Sequence, residues 1–281
     1  MLQKSTRLLR YSSSEGSLDL ALEEALQLGL EEGTSPPTWR VWQAATPAIV
    51  LGTGQELLKE VDLDAARAAG VPVLRRHSGG GAVLIGPGVI NYSGFFRIAE
   101  LPGAETISGA MEAALQSILK TLELLAANNS KFKIQNSKFL LAGLSDIAVA
   151  STPPFEGGEY ARHQTPDYGL KKLAGHAQAR KRVSVLVHGT LLADPDWELL
   201  ERLLKFPSRP PEYRGARGHR EFLTSLRELG LLFDLQEFTA ALRQALGLSA
   251  ELAQAPTAAE AACASRLLAE KYSRDEWNLR R

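Results

Sequence analysis

Apolar residues at positions 18, 21, 22, 25 and 26 recur with the spacing of one helix face, so residues 17–26 predict an amphipathic helix. Ser17 is its expected cap, and acids fill its first turns. Short apolar runs at 39–42 and 48–52 predict two strands, followed by Thr53, Gly54 and Gln55. Residues 62–69 predict a short helix stopped by Gly70. The apolar run 71–74 and the pair Leu84 and Ile85 enclose a glycine-rich turn, which reads as a hairpin. Residues 89–96 form an apolar strand with Asn91 and Ser93 on one face, and 108–125 repeat the helical stripe. Strands follow at 144–149, 170–178 and 183–192, then helices at 197–204, 222–229, 235–246 and 257–271. Hairpins dominate and no βαβ alternation appears, so the chain reads as α+β, with a mixed, largely antiparallel sheet flanked by helices.

Three segments interrupt this pattern. Residues 129–139 carry Asn-Ser-Lys-Phe twice and read as an exposed β-excursion, since two copies are too few for a repeat fold. Residues 150–169 are rich in Pro, Gly and polar side chains, long for a hairpin loop, and read as a lid. Residues 209–220 are basic and broken by Pro210, Pro211, Gly215 and Gly218. In a chain of 281 residues, 44% apolar, the core is ample. Equal numbers of basic and acidic residues, 32 of each, leave no global field to attract nucleic acid or an anionic membrane. Anion binding has to be local. The single cysteine, Cys263, excludes an internal disulfide framework and a multi-cysteine zinc site. With no start resembling a signal peptide and no apolar run of membrane length, the expectation is a cytoplasmic protein.

The candidate chemistry lies in Arg75-Arg76-His77-Ser78-Gly79-Gly80-Gly81-Ala82-Val83. Three successive glycines let a ligand lie against bare peptide N–H groups, and two guanidinium forks stand beside them. This favours an anionic ligand. The loop is not a phosphate-binding P-loop, because no Gly-Lys-Ser/Thr follows, and it lacks the dinucleotide spacing.

This loop is followed in order by Ser145-Asp146-Ile147, Lys172-Leu173-Ala174-Gly175-x-Ala177 and His188-Gly189-Thr190-Leu191-Leu192. With the helix at 18–25, Leu51-Gly52-x-Gly54-Gln55 and the closing Lys271-Tyr272-Ser273-x-x-x-Trp277-Asn278, the series resembles the catalytic domain of lipoate–protein ligase A and its octanoyltransferase relatives over nearly the whole chain. The resemblance implies the sheet shared by class II aminoacyl-tRNA synthetases and biotin ligases, with a catalytic domain at 1–250 and a helical extension at 251–281. It implies attachment of lipoate or octanoate to a lysine of a lipoyl carrier domain, such as a 2-oxoacid dehydrogenase E2 or a glycine cleavage H protein. ATP and Mg²⁺ would form an acyl-adenylate. An alternative is acyl transfer between carrier proteins without adenylation.

On the matching positions, Lys172 would meet the acyl carbonyl and phosphate oxygens as the catalytic group. Arg76 with the Gly81, Ala82, Val83 and Leu84 backbone would hold a nucleotide phosphate, while Arg75, Ser78, Gly79, Gly80, Gly175, Ala177, His188, Gly189 and Thr190 would line the site. Asp146 and Asn91 would orient the nucleotide, and Asp146 is the candidate Mg²⁺ ligand. Two departures matter. Relatives that transfer octanoate use a cysteine in the loop before the lysine or three residues before His-Gly, where this chain has Ser151 and Thr152, or Val185. Hydroxyls are far weaker nucleophiles than thiolates at neutral pH, which turns the expectation towards the adenylate route. The chain also ends at Arg281, where ligases of this kind continue into an accessory domain, so the expectation is either a separate partner protein that supplies it or an enzyme that performs only part of the cycle. A biotin–protein ligase is disfavoured by the absence of a Gly-Arg-Gly-Arg loop. Retention of Lys172 and of the Arg76 loop argues against a catalytically idle binder.

Overall fold

The computed structural model describes residues 6–127, 139–150, 169–249 and 252–280. The lid and β-excursion expected at 150–169 and 129–139 lie almost wholly outside the described residues. The chain opens with strand β1 (Arg7–Arg10) and helix α1 (Gly16–Glu32), then β2 (Thr38–Trp42) and β3 (Ala48–Leu51). Two short helices, α2 (Leu57–Glu60) and α3 (Leu63–Ala68), lead to β4 (Val73–Arg75), β5 (Val83–Ile85) and β6 (Val89–Arg97). Helix α4 (Ile107–Ala127) precedes β7 (Phe139–Ala142), β8 (Asp146–Ala150), β9 (Leu170–Arg180) and β10 (Ser184–Leu192). Helices α5 (Trp197–Leu203), α6 (His219–Phe222), α7 (Leu235–Leu246), α8 (Ala258–Leu267) and α9 (Asp275–Asn278) complete it.

A seven-stranded sheet runs β1-β2-β6-β10-β9-β8-β7, antiparallel throughout except for the parallel β1–β2 pair. This is the mixed, largely antiparallel sheet that the sequence pattern predicts. Alternation of side chains along its strands sends residues to two cores. On β10, Val185, Val187 and Leu191 join the core under α4 and α7, whereas Leu186 joins the one under α1 and α8. Among the described residues no helix is long and apolar enough to cross a membrane.

A second sheet of three strands, ordered β4-β3-β5, carries the glycine loop. Here the expected hairpin is wrong: β4 pairs parallel to β3 and β5 pairs antiparallel to its other edge, so the two never pair with each other. The loop therefore crosses over the end of β3. Other departures are local. Strand β1 was not expected; it is held by parallel pairing with β2 on one side and a bridge to Ala253 on the other. Glu15, not Ser17, is the N-cap of α1. The helix expected at 222–229 stops at Phe222, because the next residues are drawn to the sheet: Leu223 bridges to Lys172 and Thr224 N–H donates to the Lys172 carbonyl. The C-terminal segment is built into the same body. Ala253 bonds to Leu8, α8 packs on α1, and Asn278 Oδ1 accepts from the Arg75 N–H.

Helix α1 is fixed to the sheet by a charge cluster. Arg40, fully buried on β2, donates to Glu23 Oε1 at 2.9 Å, to the Asp19 and Tyr11 carbonyls and to Asp19 Oδ1. The two carboxylates respond oppositely. Burial raises the Asp19 pKa and outweighs Arg40, and its Oδ2 has no hydrogen-bond partner among the described residues. Burial acts to raise that of Glu23 too, but His188, Arg40 and Ser93 outweigh it and hold the value at about 2. Replacing Arg40 with leucine leaves both carboxylates buried without their cation, so we expect a loss of about 3–5 kcal/mol in urea unfolding. A loss under 1 kcal/mol would show that water reaches the cluster.

Histidine 176 on β9 is buried and bonded at both ring nitrogens, with Ser145 O 2.7 Å from Nδ1 and Tyr92 Oη 2.6 Å from Nε2. The carbonyl can only accept, so Nδ1 carries the proton and the phenol donates to Nε2. Burial lowers its pKa from 6.5 to about 4, despite the opposing pull of the Ser145 carbonyl and Asp146. Between these values the unfolded chain binds a proton that the folded chain refuses, so acidification from 6.5 to 4 lowers stability, by roughly 3 kcal/mol from this group. Above 6.5 neither state is protonated and the effect vanishes. His77, also held at about 4 by burial, contributes with the same sign. Unfolding free energies measured across this range should slope less steeply in His176→Asn; an unchanged slope would assign the acid sensitivity elsewhere.

Candidate active site

The two sheets meet around a cavity of about 370 Å³. Its wall includes apolar side chains of Leu20, Trp42, Val50 and Ile85, the edge of the glycine loop, and polar groups from β6, β8, β9 and β10. Lys172 enters at a β-bulge. Register slips between Ile147, which faces Ala174, and Ala148, which faces Lys172, leaving Leu173 as the extra residue. The bulge re-aims the strand, and the Lys172 ammonium lies 2.9 Å from Asp146 Oδ1. Tyr213 Oη donates to Asp146 Oδ2 at 2.7 Å.

A glycine makes this pair possible. Gly175 faces Asp146 across the β8–β9 ladder, and a Cβ there would stand 2.5 Å from Lys172 Nζ. Asn91 and Thr190 are partners across β6 and β10. Asn91 is buried on the cavity wall, and its Nδ2 has no hydrogen-bond partner among the described residues. An unsatisfied buried donor of this kind is uncommon, and it stands on the same cavity wall as Lys172.

The arginines are arranged differently from the expectation. Arg76 lines the cavity but directs Nε to Ser78 Oγ and the Gly79 carbonyl, Nη1 to Val50 O and Nη2 to the Gly79 and Gly81 carbonyls. Its fork braces the glycine loop from within. Burial lowers its pKa to about 10, still well above neutrality. Arg75 is fully buried and lies outside the cavity wall, bonded to the carbonyls of Gly52, Gln55, Trp277 and Arg280. It ties the loop to the C-terminal segment.

The three loop glycines also divide. A Cβ on Gly79 or Gly81 would meet open space, whereas one on Gly80, at φ +85°, would meet Arg76 Nη2 at 2.9 Å and Ala177 Cβ at 3.0 Å. Gly80 is thus required by packing against β9, and Gly81, on the cavity wall, leaves room for a ligand. Ala82, Val83, Leu84, Ala177, Gly189 and Thr190 lie on the cavity wall as expected; Ser78 and Gly79 do not.

Ser78 belongs to a relay. Its Oγ is 2.6 Å from His188 Nε2, and His188 Nδ1 is 3.5 Å from Glu23 Oε2, which also accepts from Ser93 Oγ at 2.5 Å. The order of groups is that of a nucleophile, a base and an orienting acid. Ser78, however, is 1% exposed, outside the cavity wall, and receives Arg76 Nε on the same oxygen, so it braces rather than attacks. Burial lowers the His188 pKa despite Glu23, consistent with a neutral ring.

Asp146, the candidate Mg²⁺ ligand, spends its oxygens on Lys172 and Tyr213, and no group of three His, Cys, Asp or Glu among the described residues is arranged to hold a metal ion. The residues present therefore do not form a protein cage for Mg²⁺. Sequence reasoning missed Tyr213, Glu23 and Tyr92. Tyr213 lay within the basic segment singled out at 209–220, but nothing in one dimension ties it to Asp146, 67 residues away.

Comparison with known proteins agrees with this architecture. Residues 16–247 match the family model of the lipoyl protein ligase A/B catalytic domain. Among curated relatives, the octanoyltransferase LipM of Symbiobacterium thermophilum is 30% identical over 100% of both chains, and that of Kyrpidia tusciae is 32% identical over 98% of each. Among solved structures, the bi-partite lipoate protein ligase of Thermoplasma acidophilum superposes with a TM-score of 0.75 at 23% identity, covering 98% of this chain and 96% of that one. A lipoate-protein ligase A bound with ATP gives 0.74 at 24% identity over 98% of each chain. At these identities the structures speak for the fold, and the family model and curated relatives speak for descent: the chain belongs to the lipoyl protein ligase A/B catalytic-domain family.

Proposed function

We propose that this protein transfers an octanoyl group to the side-chain amine of a lysine on a lipoyl carrier domain. The observation that carries the reading is the Lys172–Asp146 pair, set by the bulge on a cavity whose wall also holds Leu20, Trp42, Val50 and Ile85. The apolar side chains suit an eight-carbon acyl chain, and the ammonium suits the oxygen of its carbonyl. The curated relatives named as octanoyltransferases support transfer over adenylation as the main route.

The chain lacks a thiol suited to covalent catalysis. Cys263 is half-buried on α8, with its sulfur 3.8 Å from Arg266 Nη2, and packs against the core under α1. It is not on the cavity wall. In the route we propose, the acceptor amine attacks the thioester carbonyl of an octanoyl carrier directly. The C–N bond forms, the C–S bond breaks, and a proton from the amine leaves with the carrier thiolate. Lys172 donates to the oxygen while negative charge resides on it, and Asp146 with Tyr213 holds the ammonium in place. Lipoyl domains of 2-oxoacid dehydrogenases or of the glycine cleavage system are the acceptors implied.

The position of Cys263 also favours a second reading, in which the acid is activated by ATP and Mg²⁺ before amide formation. Incubating the protein with a lipoyl domain and either octanoyl carrier protein alone, or octanoate with ATP and Mg²⁺, separates the two by mass spectrometry. We expect the acyl mass on the domain in the first mixture, unaffected by Cys263→Ser. Acylation in the second mixture alone would make the protein a ligase.

Gly175→Ala probes the geometry without removing a charge. The added methyl displaces the flexible end of Lys172 from Asp146, so we expect kcat/KM to fall about 100-fold with little change in melting temperature. Lys172→Ala should cost on the order of 3 kcal/mol of transition-state stabilisation. Near-wild-type rates in both variants would remove Lys172 from the mechanism.

A further inference from the structure

Arg214 lines the same cavity yet belongs to none of the networks above. It is 4% exposed. A guanidinium so buried ordinarily has its donors satisfied, as backbone carbonyls satisfy those of Arg75 and Arg76, because its charge cannot be shed. Here no carboxylate pairs with it among the described residues. Nε donates to the Arg217 carbonyl at 2.9 Å, and Nη2 has no partner. The guanidinium carbon stands 4.7 Å from the ring centre of Phe206 and 4.9 Å from that of Phe222, so two aromatic faces fix its place without neutralising it. Burial and the neighbouring Arg217 both push its pKa down, the mark of a cation lacking a counter-charge.

Two further cations, Lys205 and Arg209, share its cavity wall. The acids there are already engaged: Glu60 accepts from Ser208 Oγ, and Asp146 is held by Lys172 and Tyr213. Tyr213, adjacent to Arg214 in the chain, is the residue that grips Asp146, and Phe222 precedes Leu223, which bridges to Lys172. The cationic region is thus tied structurally to the acyl-transfer centre.

We infer that Arg214 is the anchor for a phosphate group on the acyl donor, binding it in the cavity beside the Lys172 centre. The inference deepens the acyl-transfer reading and rests on it for the identity of the donor. A guanidinium fork matches phosphate oxygens in pairs, and additional nearby cations favour an anion of more than one charge over a lone carboxylate. Phosphate on an acyl donor has two chemical sources: the phosphopantetheine arm of a carrier thioester, or a nucleotide.

The test compares binding, without turnover, of octanoyl-phosphopantetheine, octanoyl-pantetheine and ATP to the wild-type chain and to Arg214→Met by calorimetry. Methionine keeps an unbranched apolar stem between Phe206 and Phe222 and removes the charge. We expect its melting temperature to be unchanged or higher, because an unpaired buried cation is gone. Affinity for the phosphate-bearing probe should fall about 30-fold, with octanoyl-pantetheine unaffected. A loss confined to octanoyl-phosphopantetheine assigns the carrier arm, and a loss confined to ATP assigns a nucleotide; either supports the anchor. Equal affinities in the two proteins, a wild type that gains nothing from the phosphate, or a variant that melts lower and loses all three probes together would overturn it. The outcome is separable from the transfer reading: a chain that needs Arg214 to bind phosphate but moves no octanoyl group keeps the anchor and loses the transfer.

Discussion

Arg40 is the constraint from which the site is built. Its guanidinium, with no exposed surface, joins two turns of α1 to the central sheet through Asp19 and Glu23. Glu23 then reaches His188 on β10, His188 reaches Ser78, and Ser78 receives Arg76, whose remaining donors close the glycine loop. A buried ion pair gains little stability over a well-packed apolar replacement, because desolvation consumes most of the Coulomb attraction. What the cluster gains is position. Every member has a particular partner, and a slip of α1 by one residue would strand a charge in a low-dielectric interior.

Glycines do for the cavity what the charges do for the frame. Three glycines admit groups that a Cβ would exclude: Gly52 the Gly80 carbonyl, Gly175 the Lys172 ammonium, and Gly189 the His176 ring. Gly52 and Gly189 admit groups from another stretch of chain, whereas Gly175 makes room for a side chain of its own strand. Gly189 lets the imidazole of β9 pass over β10 to Tyr92 on β6. Gly175 leaves space for the ammonium, and Gly52 for the loop crossing β3. The cavity is therefore shaped by removed side chains as much as by those that line it.

Much of this could be read from the sequence, and the pattern of misses is physical. Helix α7 follows from its helical period, and β6, β9 and β10 from short apolar runs between turn residues, β6 being buried along nearly its whole length. The glycine loop was legible because guanidinium groups stand beside residues without side chains, whereas the roles expected of Lys172, Asp146 and Asn91 came from the family resemblance. The β4–β5 hairpin failed for want of information: two apolar runs around a turn look alike whether they pair with each other or flank a third strand. Arg75 and Arg76 misled for a related reason. A guanidinium is equally good at holding a ligand and at capping backbone carbonyls, and only the fold says that Gly52, Gly79 and Gly81 present theirs.

The missing thiol bears on chemistry more than on fold. A covalent acyl-enzyme divides transfer into two steps and lets donor and acceptor visit in turn; direct transfer requires both at once. Proximity then has to supply what the covalent intermediate would have supplied, and oriented reactants can meet that demand when the site fixes each partner independently. In the proposed route the acyl carbonyl would meet Lys172, the chain would lie against the apolar wall, and the cations of segment 205–222 would face whatever carries the acyl group. The Asp146–Tyr213 contact links that segment to Lys172, so a ligand that shifts the segment would also act on the placement of the ammonium. Direct transfer, with no covalent acyl-enzyme, depends on such coupling, because it rests on the simultaneous, rigid placement of groups that react with one another.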